Sequence, residues 1–151
     1  MPKILVIGVG SEYGSDDRVG LVVARRLREI VPPGVDVIEH TGDGTALASA
    51  WNNIDLVFLV DATSSGAEPG TIYRIDGLST LLPAEISTSS THSFGLGEAI
   101  QLAQQLDQLP RSLLIYGIEG SSFSFGSELS TEVEAAARSV IEHIINEIEI
   151  A

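Results

Sequence analysis

Residues 55–61, DLVFLVD, constrain this chain more than any other stretch. Five consecutive apolar residues between two aspartates leave no polar face for water, so a strand here must be covered on both sides. Such a strand lies inside a sheet flanked by helices. The rest of the 151 residues supplies both kinds of element. Residues 3–9 (KILVIGV), 35–39 and 113–118 read as further short strands. Residues 71–76 (TIYRID) follow Asp61 too closely for a helical crossover and are expected to run antiparallel. Helices are expected over 17–30, 45–51, 92–106 and 131–148. In the first, Val19, Val22, Val23, Leu27 and Ile30 recur at helical spacing while Arg25, Arg26 and Arg28 fall off that stripe, and "PPG" stops it. Thr131 with Glu134 reads as a capping box for the last. The alternation predicts an α/β fold: a three-layer sandwich with a mostly parallel, mixed five-stranded sheet and helices on both faces, as one domain over 1–151.

Composition narrows the function. Hydrophobic residues at 44% suit a packed core, and no apolar run approaches the ~20 residues of a membrane span. The apolar stretch at 4–9 is too short for a signal peptide, so a cytoplasmic location without membrane association is expected. With no cysteine, disulfides, thiolate metal sites and a cysteine nucleophile are excluded. Acids outnumber bases 21 to 8, for a net charge of −13, and Lys3 is the single lysine. Nucleic acid is therefore a poor partner, and a basic protein or a cation a better one.

In open α/β sheets, sites form beyond the carboxyl ends of the parallel strands. Asp16 and Asp17 follow the first strand, Glu39 and His40 end the second, Asp61 ends the third, and Glu119 follows the last. His92 opens a helix after the serine-rich loop "STSSTHSFG". Each has an ordinary reading as well. Asp16 and Asp17 suit a helix start, Asp61 a turn, His92 a cap or the surface, and Glu119, between glycines, a loop. His143, on the polar side of the last helix, is assigned no role. It is the recurrence at successive strand ends that points to a site.

Three chemistries fit such a rim. "GVGSEYGSDDRVG" begins like a dinucleotide loop, but its glycines are spaced one residue too wide, and Asp16 and Asp17 would repel a pyrophosphate. Asp16, Asp17 and Asp61 also match the acids of a phospho-acceptor receiver domain, yet the lysine required after the last strand is replaced by Glu119. The third is a metal site. Asp17, Asp61 and His92 supply two carboxylates and an imidazole to a borderline divalent ion, leaving positions open.

Four motifs in order then resemble the nickel–iron hydrogenase maturation endopeptidases, across essentially the whole chain. They are "GVGSEYGSDDRVG", the strand ending in Asp-Ala ("LVFLVDA"), the histidine before a helix ("STHSFGLGEAI"), and "YGIEG" followed by "GSELSTEVEAA". The resemblance implies an endopeptidase that removes a C-terminal extension from the hydrogenase large-subunit precursor after nickel insertion. It places metal contact on Asp17, Asp61 and His92, with Asp16 and Glu119 as supporting acids. The nickel is supplied by the substrate, with zinc or another divalent ion as a substitute in vitro. A non-catalytic, chaperone-like metal-binding partner of the same subunit would use the same surface. Two departures stand out: Ser11 replaces the usual asparagine, and "HTGDGTAL" replaces an Asp-Gly-Gly-Thr loop, bringing in Asp43 or His40. On this reading the opening glycines turn the chain sharply and admit a bound peptide.

Overall fold

The computed structural model describes residues 2–41, 44–79, 96–126 and 128–151, with the side chains at 44 and 45 left out. The apolar run becomes β3 (Leu56–Thr63), with Val57, Phe58, Leu59 and Val60 almost wholly buried. It lies at the centre of a five-stranded sheet of order β2-β1-β3-β5-β4, built with β1 (Ile4–Val9), β2 (Val35–His40), β4 (Ile72–Asp76) and β5 (Ser112–Glu119). All neighbours pair parallel except β4, which runs antiparallel along β5 at the sheet edge.

The strand pleat sorts the core into two layers. Val6, Phe58, Val60, Tyr116 and Ile118 face α1 (Val19–Arg28) and α4 (Thr131–Ile150). Leu5, Ile7, Val57, Leu59 and Ile115 face α2 (Gly44–Ala50) and α3 (Leu96–Gln105). The expected three-layer α/β sandwich is the observed one.

Several expected details differ. The first helix does not begin at Asp17: Asp16–Arg18 form a 3-10 turn, and the α-helix starts at Val19. It ends at Arg28, which leaves Ile30 57% exposed instead of on the buried stripe. Ala24 is also buried, against β1, and Leu21 is buried at the cleft beside Gly10. β3 continues to Thr63, so Asp61 lies within the strand. The capping box does not form. Ser130, not Thr131, is the N-cap, its hydroxyl is turned to Asp16, and Glu134 reaches Arg26 and Arg138.

Gly8 of β1 and Gly20 of α1 serve packing and not a phosphate. A Cβ on Gly8 would stand 2.2 Å from the Gly20 carbonyl oxygen, and one on Gly20 2.1 Å from that of Val9 and 2.4 Å from that of Val60. Bare backbone lets α1 press onto β1 and β3. Neither glycine has a positive φ, so close approach, and not the expected sharp turn, is their use.

Candidate active site

The strand order reverses between β1 and β3: the chain leaves β1 outward to β2 and returns across β1 to β3. Such a switch point, at the strand carboxyl ends, is the usual ligand position in open α/β sheets. Asp17 lies on its β1 side and Asp61 near the end of β3. The 3-10 turn bearing Asp17 packs directly on β3.

Asp17 is 4% exposed and lines a cleft of about 650 Å³ with Gly10, Ser11, Tyr13, Arg25 and His40. The cleft wall is tied together by backbone: Gly10 N–H donates to the His40 carbonyl at 3.1 Å, and Ser11 N–H to that of Asp17 at 3.3 Å. The Ser11 hydroxyl, standing where the resemblance expects asparagine, accepts the Tyr13 N–H at 3.3 Å. Arg25 reaches across the cleft to Glu12 and, at 2.9 Å, to Glu39, whose other oxygen accepts from Arg28 at 3.2 Å. The Arg25 hydrogen bond, helped by Arg28 and opposed by desolvation, holds the Glu39 carboxyl below its ordinary range. His40 thus enters the site wall. Asp61 is half-buried, and one of its oxygens accepts the Ala62 N–H at 2.8 Å.

The other two acids are engaged elsewhere. Asp16 is wholly buried. Its carboxylate accepts from Ser121 N–H at 2.7 Å, Ser122 N–H at 3.0 Å, Ser130 N–H at 2.8 Å and the Ser130 hydroxyl at 3.0 Å. It ties the Asp17 turn to the loop that precedes α4. Glu119, 3% exposed, does the same for the loop after β3. It accepts from the hydroxyls of Thr63 at 2.8 Å and Ser65 at 2.7 Å, and from Ser65 N–H at 3.0 Å. Both acids therefore act through their neighbours: Asp16 fixes the backbone of Asp17, and Glu119 fixes the end of the strand that carries Asp61.

His92 and Asp43 lie outside the described residues. Among the described residues, no group of three or more histidines and acids stands ready to hold a metal. Asp17 and Asp61 supply oxygen donors suited to a borderline divalent ion, and the expected trio needs His92 to complete it. His143 is exposed on α4, its ring 6.4 Å from that of Tyr116 and remote from this rim. Arg25 and Tyr13 were not singled out as site residues from sequence. The only signal for Arg25 was its place off the apolar stripe of α1.

Comparison with known proteins agrees with the architecture. A family model described as hydrogenase maturation protease matches residues 21–147. Hydrogenase 2 maturation protease of Escherichia coli is 27% identical over 148 residues, covering 95% of this chain and 88% of that protein. Hydrogenase expression/formation protein HupD of Thiocapsa roseopersicina is 27% identical over 146 residues, and the match spans 93% of this chain but 65% of HupD. Among solved structures, the hydrogenase maturating endopeptidase HybD from Escherichia coli superposes with a TM-score of 0.77 at 21% identity, covering 97% of this chain and 92% of that one. The [NiFe] hydrogenase maturation protease HycI from Thermococcus kodakarensis KOD1 gives 0.72 at 27% identity, covering 96% and 91%. With the matched model spanning most of the fold and both core layers, the chain belongs to the hydrogenase maturation protease family.

Proposed function

We propose that this protein is a cytoplasmic endopeptidase that removes the C-terminal extension of a nickel–iron hydrogenase large-subunit precursor once nickel is in place. The observation that supports the proposal is that Asp17, just after β1, lines an open cleft, with Asp61 near the carboxyl end of the neighbouring strand β3, in a chain of this family. No helix among the described residues is long and apolar enough to cross a membrane.

In this reading the nickel belongs to the substrate, and Asp17, Asp61 and His92 recognise it by offering ligands to its open positions. When bound, the metal supplies Lewis-acid polarisation of the scissile carbonyl. The chain's own residues do the rest. The cleft holds the peptide extended past Asp17, and whichever of Asp17 and Asp61 is not engaged by the metal accepts the proton of the attacking water. The water oxygen bonds to the carbonyl carbon, the C–N bond breaks, and the proton passes to the leaving amine. Asp16 and Glu119 hold the two ligand-bearing segments still while this happens.

The test is the mass of purified precursor after incubation with this protein, with and without nickel loaded. Loss of the C-terminal extension only from the nickel-loaded sample is expected. Asp17→Asn, Asp61→Asn and His92→Ala are expected to fold yet process at least 100-fold more slowly, a loss of about 3 kcal/mol in transition-state stabilisation. Cleavage at the wild-type rate by any of the three removes that residue from the site. Nickel-dependent binding without a change in mass would replace the protease with a non-catalytic partner of the same subunit.

A further inference from the structure

We propose that Arg25 is a substrate-positioning residue of the cleft, its guanidinium donating hydrogen bonds to a backbone carbonyl of the precursor's polypeptide a few residues away from the bond held at Asp17. The inference rests on the protease reading and deepens it to how the substrate is held.

Spacing along the first helix sets the reach. Asp17, Leu21 and Arg25 recur at every fourth residue and all line the same cleft, so one face of the 3-10 turn and α1 forms its wall. At ~1.5 Å of rise per residue, Arg25 stands roughly 12 Å along this wall from Asp17. That is the span of roughly three to four residues of extended peptide at ~3.3 Å each. A peptide lying along the wall past Asp17 therefore meets Arg25, at a distance where its contact is the same before and during bond cleavage.

The guanidinium is held without being saturated. It carries five N–H donors in a rigid fork. Both donors of Nη2 are engaged, with Glu12 and, at 2.9 Å, with Glu39. Glu39 is itself held by Arg28 at 3.2 Å. Among the described residues, nothing accepts from the Nε–H or from either N–H of Nη1. The Arg25 side chain is 38% exposed and both its partners line the cleft, so the remaining donors are open to a ligand there. Fixing the fork beforehand from two sides lowers the entropy lost on binding.

Charge selects the acceptor. Glu12, Asp17 and Glu39 line the cleft, and Arg25 is the one arginine among the described residues doing so. A substrate carboxylate would face three like charges, while two of those already neutralise Arg25. A neutral carbonyl meets no such repulsion, and every residue of an extended peptide offers one.

The experiment measures KM and kcat for shortening of full-length, nickel-loaded precursor by wild type, Arg25→Lys, Arg25→Met and Glu12→Ala, with precursor binding followed in parallel. Arg25→Lys keeps the charge between Glu12 and Glu39 but loses the fork. It is expected to raise KM at least tenfold with kcat within twofold, the mark of binding lost equally from ground and transition states. Arg25→Met should raise KM at least as much. Glu12→Ala cuts the tie between loop and helix yet leaves the donors in place, so its KM should rise no more than threefold. A KM within twofold of wild type for both Arg25 variants, on precursor that wild type shortens, overturns the role of Arg25 and leaves the protease reading intact. A rise in Glu12→Ala equal to that in Arg25→Lys overturns it too, since the tie and not the fork would then matter. Wild type that binds precursor without shortening it, with binding weakened at least tenfold by Arg25→Lys, supports the role while overturning the protease reading. Absence of both binding and shortening by wild type overturns the inference together with its premise.

Discussion

Asp16→Asn is a near-isosteric change whose cost follows from four hydrogen bonds. One carboxylate oxygen accepts from Ser121 N–H, Ser122 N–H and the Ser130 hydroxyl, and the other from Ser130 N–H. An asparagine has one acceptor oxygen. Placed toward the three donors, it sets its NH2 against Ser130 N–H; flipped, it sets the NH2 against two N–H groups. The better placement leaves one buried donor without a partner, at about 1–3 kcal/mol. It also turns three charge-assisted bonds into neutral ones, at about 1 kcal/mol each before allowance for coupling. Relief of a buried charge returns part of this. The net expectation is a loss of about 3 kcal/mol, or roughly 6–12 °C in melting temperature for a chain of this size. The assay is urea unfolding with an unchanged slope, joined to amide exchange across residues 121–130, which should speed up. A loss below about 1 kcal/mol with unchanged exchange would refute the view that Asp16 clamps this loop.

Three further outcomes are expected. Gly20→Ala should destabilise by about 2 kcal/mol or more in spite of alanine's higher helix propensity, since its Cβ meets the backbone oxygens of Val9 and Val60, which no rotamer can relieve; a neutral or stabilising result in thermal melts would contradict the packing. Glu134 is held down to about 2 from an ordinary 4.5, first by the Arg26 hydrogen bonds, so its contribution is full above about pH 4.5 and is lost as pH falls toward 2. After discounting for exposed partners this is about 1 kcal/mol, and Glu134→Gln should flatten the acid limb of a stability–pH curve by that amount. Trp51 is wholly buried, and among the described residues nothing accepts its indole N–H, so Trp51→Phe should change stability by no more than about 1 kcal/mol, whereas Trp51→Ala should cost about 3–5 kcal/mol by denaturant titration.

What the sequence disclosed and what it concealed divide by distance along the chain. The apolar run of β3 and the turn-limited link to β4 are local signals, and they yielded the central strand and the antiparallel edge. The places of Asp17 after β1 and of Asp61 near the end of β3 were legible because strand-end position is also local. The role of Asp16 was not, since its partners lie 105–114 residues away and only the folded chain brings them together. The same contact explains the false capping box: Asp16 holds the Ser130 N–H and hydroxyl, Ser130 becomes the N-cap, and Thr131 is already the first helical residue, out of position to cap. Gly8 and Gly10 looked like part of a ligand loop because the pattern records where side chains are forbidden, without recording whether a phosphate or the protein's own backbone forbids them.

The placement of β5 between β3 and β4 has a consequence for the order in which the chain can assemble as it is made. β4 leaves the ribosome before β5, yet among the described residues its only sheet neighbour is β5. Until Glu119 has emerged, some forty residues after Asp76, β3 presents a bare, hydrophobic edge and β4 has nothing to pair with. At ~5–20 residues per second, that interval lasts roughly 2–9 s. An apolar strand with one open side is a template for pairing with other nascent chains. The strand that completes the sheet is thus also the one that ends its exposure, and the yield of folded protein should depend on how quickly residues 77–119 are translated.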